Sequence, residues 1–129
     1  MSKIRGKQTA FEEEFVQAFT SICDAPFDRN CADVLGKPDL VFRKARVCVF
    51  LDSDFWHGWQ FPRWAHKMKN DFWREKILTN RRRDVRVSRA LRGQGWRVVR
   101  IWEHKIRLSL DRQIERLINV LRGANCNEV

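Results

Sequence analysis

The run Val47-Cys48-Val49-Phe50-Leu51 is apolar almost without a break. A strand that covers only one face of a sheet alternates apolar and polar residues; one that is apolar throughout needs cover on both sides. Arg46 to Leu51 is therefore predicted as a central, buried strand, with Cys48 as a core residue. Asp39 to Phe42 reads as a shorter strand, and Arg43 to Arg46 as the polar turn that joins the two into a β-hairpin. Trp96 to Trp102 supplies a third strand, apolar at Val98, Val99 and Ile101.

Helices provide the cover. Thr9 to Asp24 is predicted helical, with Thr9 as the cap and Glu12 three residues on, as in a capping box. Phe11, Phe15, Ala18, Phe19 and Ile22 fall at helical spacing and face the core. Ala25 to Pro38 is irregular, broken by Pro26, Gly36 and Pro38, with room for a short strand. Asp52 to Lys69 is a loop rich in aromatics and histidine. Asp71 to Arg92 is a long, strongly basic helix ended by Gly93 and Gly95. A last amphipathic helix, Ser109 to Leu121, starts near Ser109 or Asp111 and places Ile114, Leu117, Ile118 and Leu121 on one face. The tail from Gly123 is expected to be loose. This order predicts an α/β fold, a mixed β-sheet flanked by helices. The 129 residues suit a single domain spanning 1–129, with its core at about 9–122.

Lysine and arginine total 26 against 16 aspartate and glutamate, a formal charge of +10. A folded domain this basic needs an acidic partner, and nucleic acid is the leading candidate, the plainer alternative being a merely soluble basic protein. Six Trp and nine Phe with no Tyr is an unusual set, and several stand among charges. They could form a stacking surface or a core of bulky rings. The four cysteines, Cys23, Cys31, Cys48 and Cys126, form no CxxC pair. The polar, basic opening does not read as a signal peptide, and no apolar run approaches a membrane span. These features predict reduced thiols, no membrane partner and an intracellular, cytoplasmic protein.

Chemistry concentrates at Pro38-Asp39 and just beyond Leu51. The hairpin returns the end of its second strand to the neighbourhood of Asp39, where a carboxylate and a strand end could share a hard cation. Mg²⁺ takes oxygen ligands and often binds through one or two carboxylates plus substrate phosphate, with Mn²⁺ as a substitute. The loop Asp52-Ser53-Asp54-Phe55-Trp56-His57 follows directly. His57 can serve as a general base at neutral pH. Arg81, Arg82, Arg83 and Arg86, with Arg89 and Arg92, make a basic helix. Such runs are often solvated faces; beside a site that binds nucleic acid they read as phosphate contacts.

The blocks Gly36-Lys37-Pro38-Asp39-Leu40-Val41-Phe42 and Val49-Phe50-Leu51-Asp52-Ser53-Asp54-Phe55-Trp56-His57 resemble the very-short-patch repair (Vsr) endonuclease family of the PD-(D/E)xK superfamily. So do Asp71-Phe72-Trp73-Arg74-Glu75-Lys76-Ile77, Asn80, Arg83-Asp84 and Gly95-Trp96-Arg97-Val98-Val99-Arg100-Ile101-Trp102-Glu103. The resemblance implies a restriction-endonuclease-like core and a Mg²⁺-dependent nickase acting on duplex DNA at a T·G-like mismatch. It makes Asp39 the metal-binding aspartate, Leu51 a ligand through its backbone carbonyl, and His57 the general base. Asp52 becomes a further active-site position, Glu12 an acid reaching the metal's water shell, and Asp84 an active-site aspartate that orients a histidine. For Glu12 and Asp84 the plainer alternatives are a helix cap and a surface salt bridge. Phe55, Trp56 and Trp73 match residues that wedge into DNA beside the mismatch, unless Trp73 instead packs its helix onto the sheet.

The chain also departs from the family. Many members hold a structural zinc, but here Asp54 stands at the first cysteine's place, His104 follows Trp-Glu, and Trp59 falls at a histidine position. None of the cysteines lies at a ligand position, so no structural zinc is predicted; Trp59, Phe61 and Trp64 are expected to pack the loop. The arm before Thr9, which helps clamp DNA in the family, is short. The resemblance brings in repair factors or an associated DNA methyltransferase as candidate partners, in a bacterial, nucleoid-associated setting. The alternatives are a restriction or defence endonuclease cutting matched or modified DNA, and a non-catalytic DNA-binding module.

Overall fold

The computed structural model describes residues 2–54 and 71–126. Helix α1 (Ser2–Ile22) leads to a short edge strand β1 (Asp28–Arg29), then β2 (Leu40–Phe42) and β3 (Val47–Asp52). Helix α2 (Asp71–Gly93) precedes β4 (Arg97–Trp102), and α3 (Glu103–Leu108) and α4 (Leu110–Cys126) close the described chain. The strands lie in the order β1-β2-β3-β4. β2 pairs antiparallel with β3, whereas β3 pairs in parallel with β4, Leu51 opposite Ile101 and Asp52 opposite Trp102.

The apolar run does what its composition requires. All of β3 is buried, held between β2 and β4. Its side chains alternate between two cores. Val47, Val49 and Leu51 join Leu40, Phe42, Val99 and Ile101 beneath Phe11, Phe15 and Phe19 of α1, Ile106 of α3, and Ile114, Leu117 and Leu121 of α4. Cys48 and Phe50 point the other way, with Val41, onto Val87 and Leu91 of α2. Helices thus cover both faces of a mixed sheet, a restriction-endonuclease-like core. Phe15, Phe19 and Phe42 belong to that core: Phe15 and Phe19 stack at 6.4 Å, and Phe42 meets Phe19 edge-on at 5.7 Å. Burial pushes the Cys48 thiol up to about 11, as expected of an inert core cysteine.

Several sequence expectations need correction. α1 begins at Ser2, so Thr9 lies within the helix instead of capping it; Gly6 weakens a helix by about 1 kcal/mol but does not block it as proline does. Ile22, expected in the core, is 63% exposed at the helix end. A short helix, α3, follows β4 directly, and α4 runs on to Cys126 where the tail was expected to loosen. Asp52, assigned to a loop, is the last residue of β3.

The turn before β2 is packed tightly on α2. Gly36 has φ +79°, and a Cβ there would lie 2.5 Å from Cγ1 of the buried Val87. Gly36→Ala therefore combines backbone strain with overpacking. A loss of about 1–3 kcal/mol is expected in urea unfolding, whereas Gly93→Ala, in open space at the end of α2, should change stability little.

Candidate active site

Asp39 sits at the entry to β2. Its N–H donates to the Val49 carbonyl at 2.9 Å, and its own carbonyl accepts from Asn30 at 3.1 Å. The side chain turns onto the neighbouring strand, where Oδ2 accepts the Leu51 N–H at 2.7 Å. The carboxylate is thus fixed against the backbone of Leu51, the position expected to offer a carbonyl to the metal. Antiparallel pairing is the cause: Leu40 opposite Val49 leaves Asp39 beside the outgoing end of β3.

Helix α1 supplies the second acid. Glu12, half-buried, is pushed up to about 7, first by burial and next by the charge of Asp39, with Arg29 acting in the opposite direction. Among the consecutive acids Glu12, Glu13 and Glu14 the surroundings differ. Glu13 is bound to Arg29 at 2.5 Å, which lowers its carboxyl, and Glu14 is exposed. Glu12 is the acid whose environment includes Asp39. Phe11 and Phe15, buried in the core, fix the rotation of α1 that brings Glu12 inward.

Two carboxylates, one of which raises the other's cost of ionisation, beside a backbone strand end, form a donor set suited to a hard divalent cation. No group of three or more His, Cys, Asp or Glu side chains converges on one point among the described residues. The oxygen donors here are Asp39, Glu12 and the backbone at Leu51.

The sign of the Glu12 shift makes a prediction. Its folded pKa lies above its unfolded value, so its contribution to stability is full below pH 4.5 and is lost as pH rises through about 7. Glu12 is only half-buried, so solvent screening keeps the loss well below what the same shift would cost in full burial. In metal-free protein, Glu12→Gln should flatten the stability profile between those pH values. A divalent cation held by Glu12 would bind more tightly as pH passes through 7 and the competing proton leaves. Thermal melts with and without Mg²⁺ at pH 5.5 and 8 check both effects.

Asp52 and Asp84 meet around Arg100 in a cluster on the α2 side of the sheet. Arg100, projecting from β4, donates from Nη1 to both Asp52 oxygens at 3.0 and 3.2 Å. Its Nε donates to Ser88 Oγ at 2.8 Å, and Nη2 to the Asp84 carbonyl at 3.3 Å. The Asp84 carboxylate lies 3.7 Å from Nη1, and the guanidinium covers the Phe50 ring at 4.1 Å. Asp52 is 4% exposed. Sequence reading missed Arg100, although the signal was available. A charge between Val99 and Ile101, beside a wholly apolar strand, requires a buried partner.

His57, Phe55 and Trp56 lie outside the described residues, as do Trp59, Phe61, Trp64 and His66. The start of their segment is anchored. Asp54 Oδ1 meets His104 Nδ1 at 2.8 Å and accepts the His104 N–H at 3.3 Å, while the Asp54 N–H donates to Glu103 Oε1 at 3.3 Å. Trp102, the cap residue of α3, gives no side-chain cap. Asp54 supplies one from 50 residues away, and Glu103 returns the bond in the manner of a capping box. Asp54 and His104, two of the three departures noted at the family's zinc positions, are therefore direct partners.

On α2, Trp73 is half-buried and packs edge-on against Phe72 at 5.3 Å, with the Lys76 ammonium 5.8 Å from its ring. Phe72 is 62% exposed. Arg82, Arg83 and Arg86 are exposed and Arg81 half-buried, so the helix carries its positive charge outward.

A family model for the DNA mismatch endonuclease Vsr matches residues 1–63. The type II nicking enzyme V.XorIIP of Xanthomonas oryzae pv. oryzae is 35% identical over 80% of this chain and 76% of its own length. The DNA mismatch endonuclease Vsr of Escherichia coli is 32% identical over 83% of this chain and 69% of its own. The chain belongs to the Vsr endonuclease family. The type II nicking enzyme V.NmeDIP of Neisseria meningitidis serogroup C is 39% identical over 62% of this chain. The chain spans about half the length (55%) of that Vsr-family relative. No helix among the described residues is long and apolar enough to cross a membrane.

Proposed function

We propose that this protein is a Mg²⁺-dependent DNA endonuclease that nicks one strand of a duplex at a T·G-like mismatch. The observation that carries the reading is the Asp39 carboxylate, fixed by the Leu51 N–H, with its charge felt by the half-buried Glu12. When bound, a divalent cation would offset charge on the scissile phosphate and acidify a water. Asp39 and Glu12 would hold it, with the Leu51 carbonyl as a further oxygen. Asp39 is already immobilised by the Leu51 N–H, so little reorganisation is needed there. His57, three residues beyond the anchored Asp54, takes a proton from the attacking water. The products are a 5′-phosphate and a 3′-hydroxyl. Phe55, Trp56 and Trp73 replace stacking lost where the duplex opens, and Arg81, Arg82, Arg83 and Arg86 hold phosphates. Asp52 and Asp84 act through Arg100, keeping α2 in place against the end of β3.

A second reading is a restriction or defence nuclease. It is favoured by relatives whose names say nicking enzyme without mention of mismatch. A cleavage panel separates the two. Purified protein with Mg²⁺ is offered labelled duplexes carrying each mismatch, matched controls, and methylated or deaminated cytosines. Nicking of the T·G duplex alone is expected. Cutting of matched or modified DNA would move the assignment to restriction or defence. Tight, salt-sensitive binding without cleavage under any divalent metal would leave a DNA-binding module.

A further inference from the structure

We infer that Lys37 and Arg83 form a clamp for a backbone phosphate adjacent to the one being cut. This rests on the endonuclease reading and adds a binding subsite to it. A cleft of about 350 Å³ opens between the turn before β2 and helix α2, lined by Lys37, Phe50, Asn80, Arg83 and Arg100 among others. A shallower depression of about 590 Å³ shares Lys37 and Arg83 with it. The two side chains are therefore the common lip of a continuous trough.

The charges in this trough are not equivalent. Arg100 is balanced by Asp52 and Asp84. Lys37 and Arg83 are both exposed, and neither makes an ion pair among the described residues. One comes from the turn and the other from the helix, so two cations that make no ion pair among the described residues border one opening, although Asp84 also lines the cleft and Asp33 the depression. Like charges placed so repel until an anion enters between them. The guanidinium fork and the ammonium together match the oxygens of a phosphodiester.

The backbone supports the same conclusion. Lys37 has φ +52°, directly after Gly36 at +79°, and its N–H is held by the Val34 carbonyl at 3.0 Å. A lysine in the left-handed region is uncommon, and such residues cluster where geometry serves a ligand. Gly36 presses the turn onto Val87 and sets the width of the opening. Lys37 precedes Asp39 by two residues, a reach of at most about 7 Å, which is the order of the step between successive phosphates in a strand. A strand whose scissile phosphate lies at Asp39 therefore runs its neighbouring phosphate past Lys37.

The test pairs protein variants with neutralised phosphates. After the cut site is mapped, duplexes carry one uncharged methylphosphonate at each flanking position in turn. Binding is measured in Ca²⁺ and cleavage in Mg²⁺, for wild type, Lys37→Asn, Arg83→Gln and Arg89→Gln. Asparagine tolerates the left-handed backbone, so the turn is retained. At one flanking position the wild type should lose about tenfold in affinity. Lys37→Asn and Arg83→Gln should bind native DNA about tenfold more weakly, lose nothing further at that position, and show a salt slope reduced by about one. Arg89→Gln, outside the trough, should keep the wild type's sensitivity. The clamp is overturned if the Lys37 and Arg83 variants lose as much as the wild type at every flanking position. If the wild type neither binds nor cuts duplex DNA, the endonuclease reading falls first and takes the clamp with it.

Discussion

Asp39→Asn is expected to lower DNA cleavage by about a thousandfold or more while leaving the protein folded and able to bind duplex. The carboxylate has two separable duties. As a charge, it is the central oxygen donor of the proposed metal site, and loss of charge stabilisation at a scissile phosphate is worth several kcal/mol; each 1.4 kcal/mol is about tenfold in rate. As an acceptor, it satisfies the Leu51 N–H at 2.7 Å. Asparagine preserves the second duty and removes the first. Alanine removes both, leaving a strand-end N–H without its acceptor at about 1–3 kcal/mol. Asp39→Ala should therefore melt lower than Asp39→Asn with no greater loss of cleavage. The Asn variant should also let the Glu12 carboxyl fall toward its ordinary value, because the Asp39 charge is the second cause of its rise. Cleavage rates, calorimetric melts and a carboxyl titration by NMR read the three effects separately. Wild-type cleavage by Asp39→Asn, in a preparation free of contaminating nuclease, would remove Asp39 from the metal site.

The parts legible in the sequence were those governed by local pattern. Val47 to Leu51 could be only a doubly covered strand, and Asp39 to Phe42 its hairpin partner, because the apolar run and the polar turn leave no other arrangement. Phe11, Phe15 and Phe19 announced the buried face of α1 by spacing alone, whereas the site role of Glu12 came only from the family resemblance. Less was readable where contacts join distant segments. The Asp54–His104 cap links residues 50 apart, and nothing near either residue marks it. α3 was hidden for the same reason, since its cap comes from Asp54 and not from Trp102. Asp52 and Asp84 read as acids near a nuclease site; only the parallel pairing of β3 with β4 brings Asp52 within reach of Arg100. Nothing in the sequence around Lys37 marks its left-handed backbone or its place on the cleft.

Arg100→Met should cost about 3–5 kcal/mol, the largest stability loss expected from any single side chain of the α2 face. The guanidinium bridges β4 to Asp52 on β3 and to Ser88 and Asp84 on α2, so one side chain ties three elements together. Removing it takes a positive partner at 3.0 Å from Asp52, 6% exposed at its side chain. A buried carboxylate deprived of its counter-charge is costly, whereas an apolar replacement of the whole pair often is not. Asp52→Asn in the Arg100→Met background should therefore recover a large part of the loss, although Asp52→Asn alone destabilises. Denaturant unfolding of the four proteins forms a double-mutant cycle, and additive losses would show that the 3.0 Å contact contributes little. Function gives a further discrimination. If Asp52 serves only through Arg100, the restored double variant should cleave DNA to within about tenfold of the wild type once folded. If Asp52 also acts on the reacting water or metal, stability will return without activity, because asparagine cannot replace a carboxylate's charge beside Leu51.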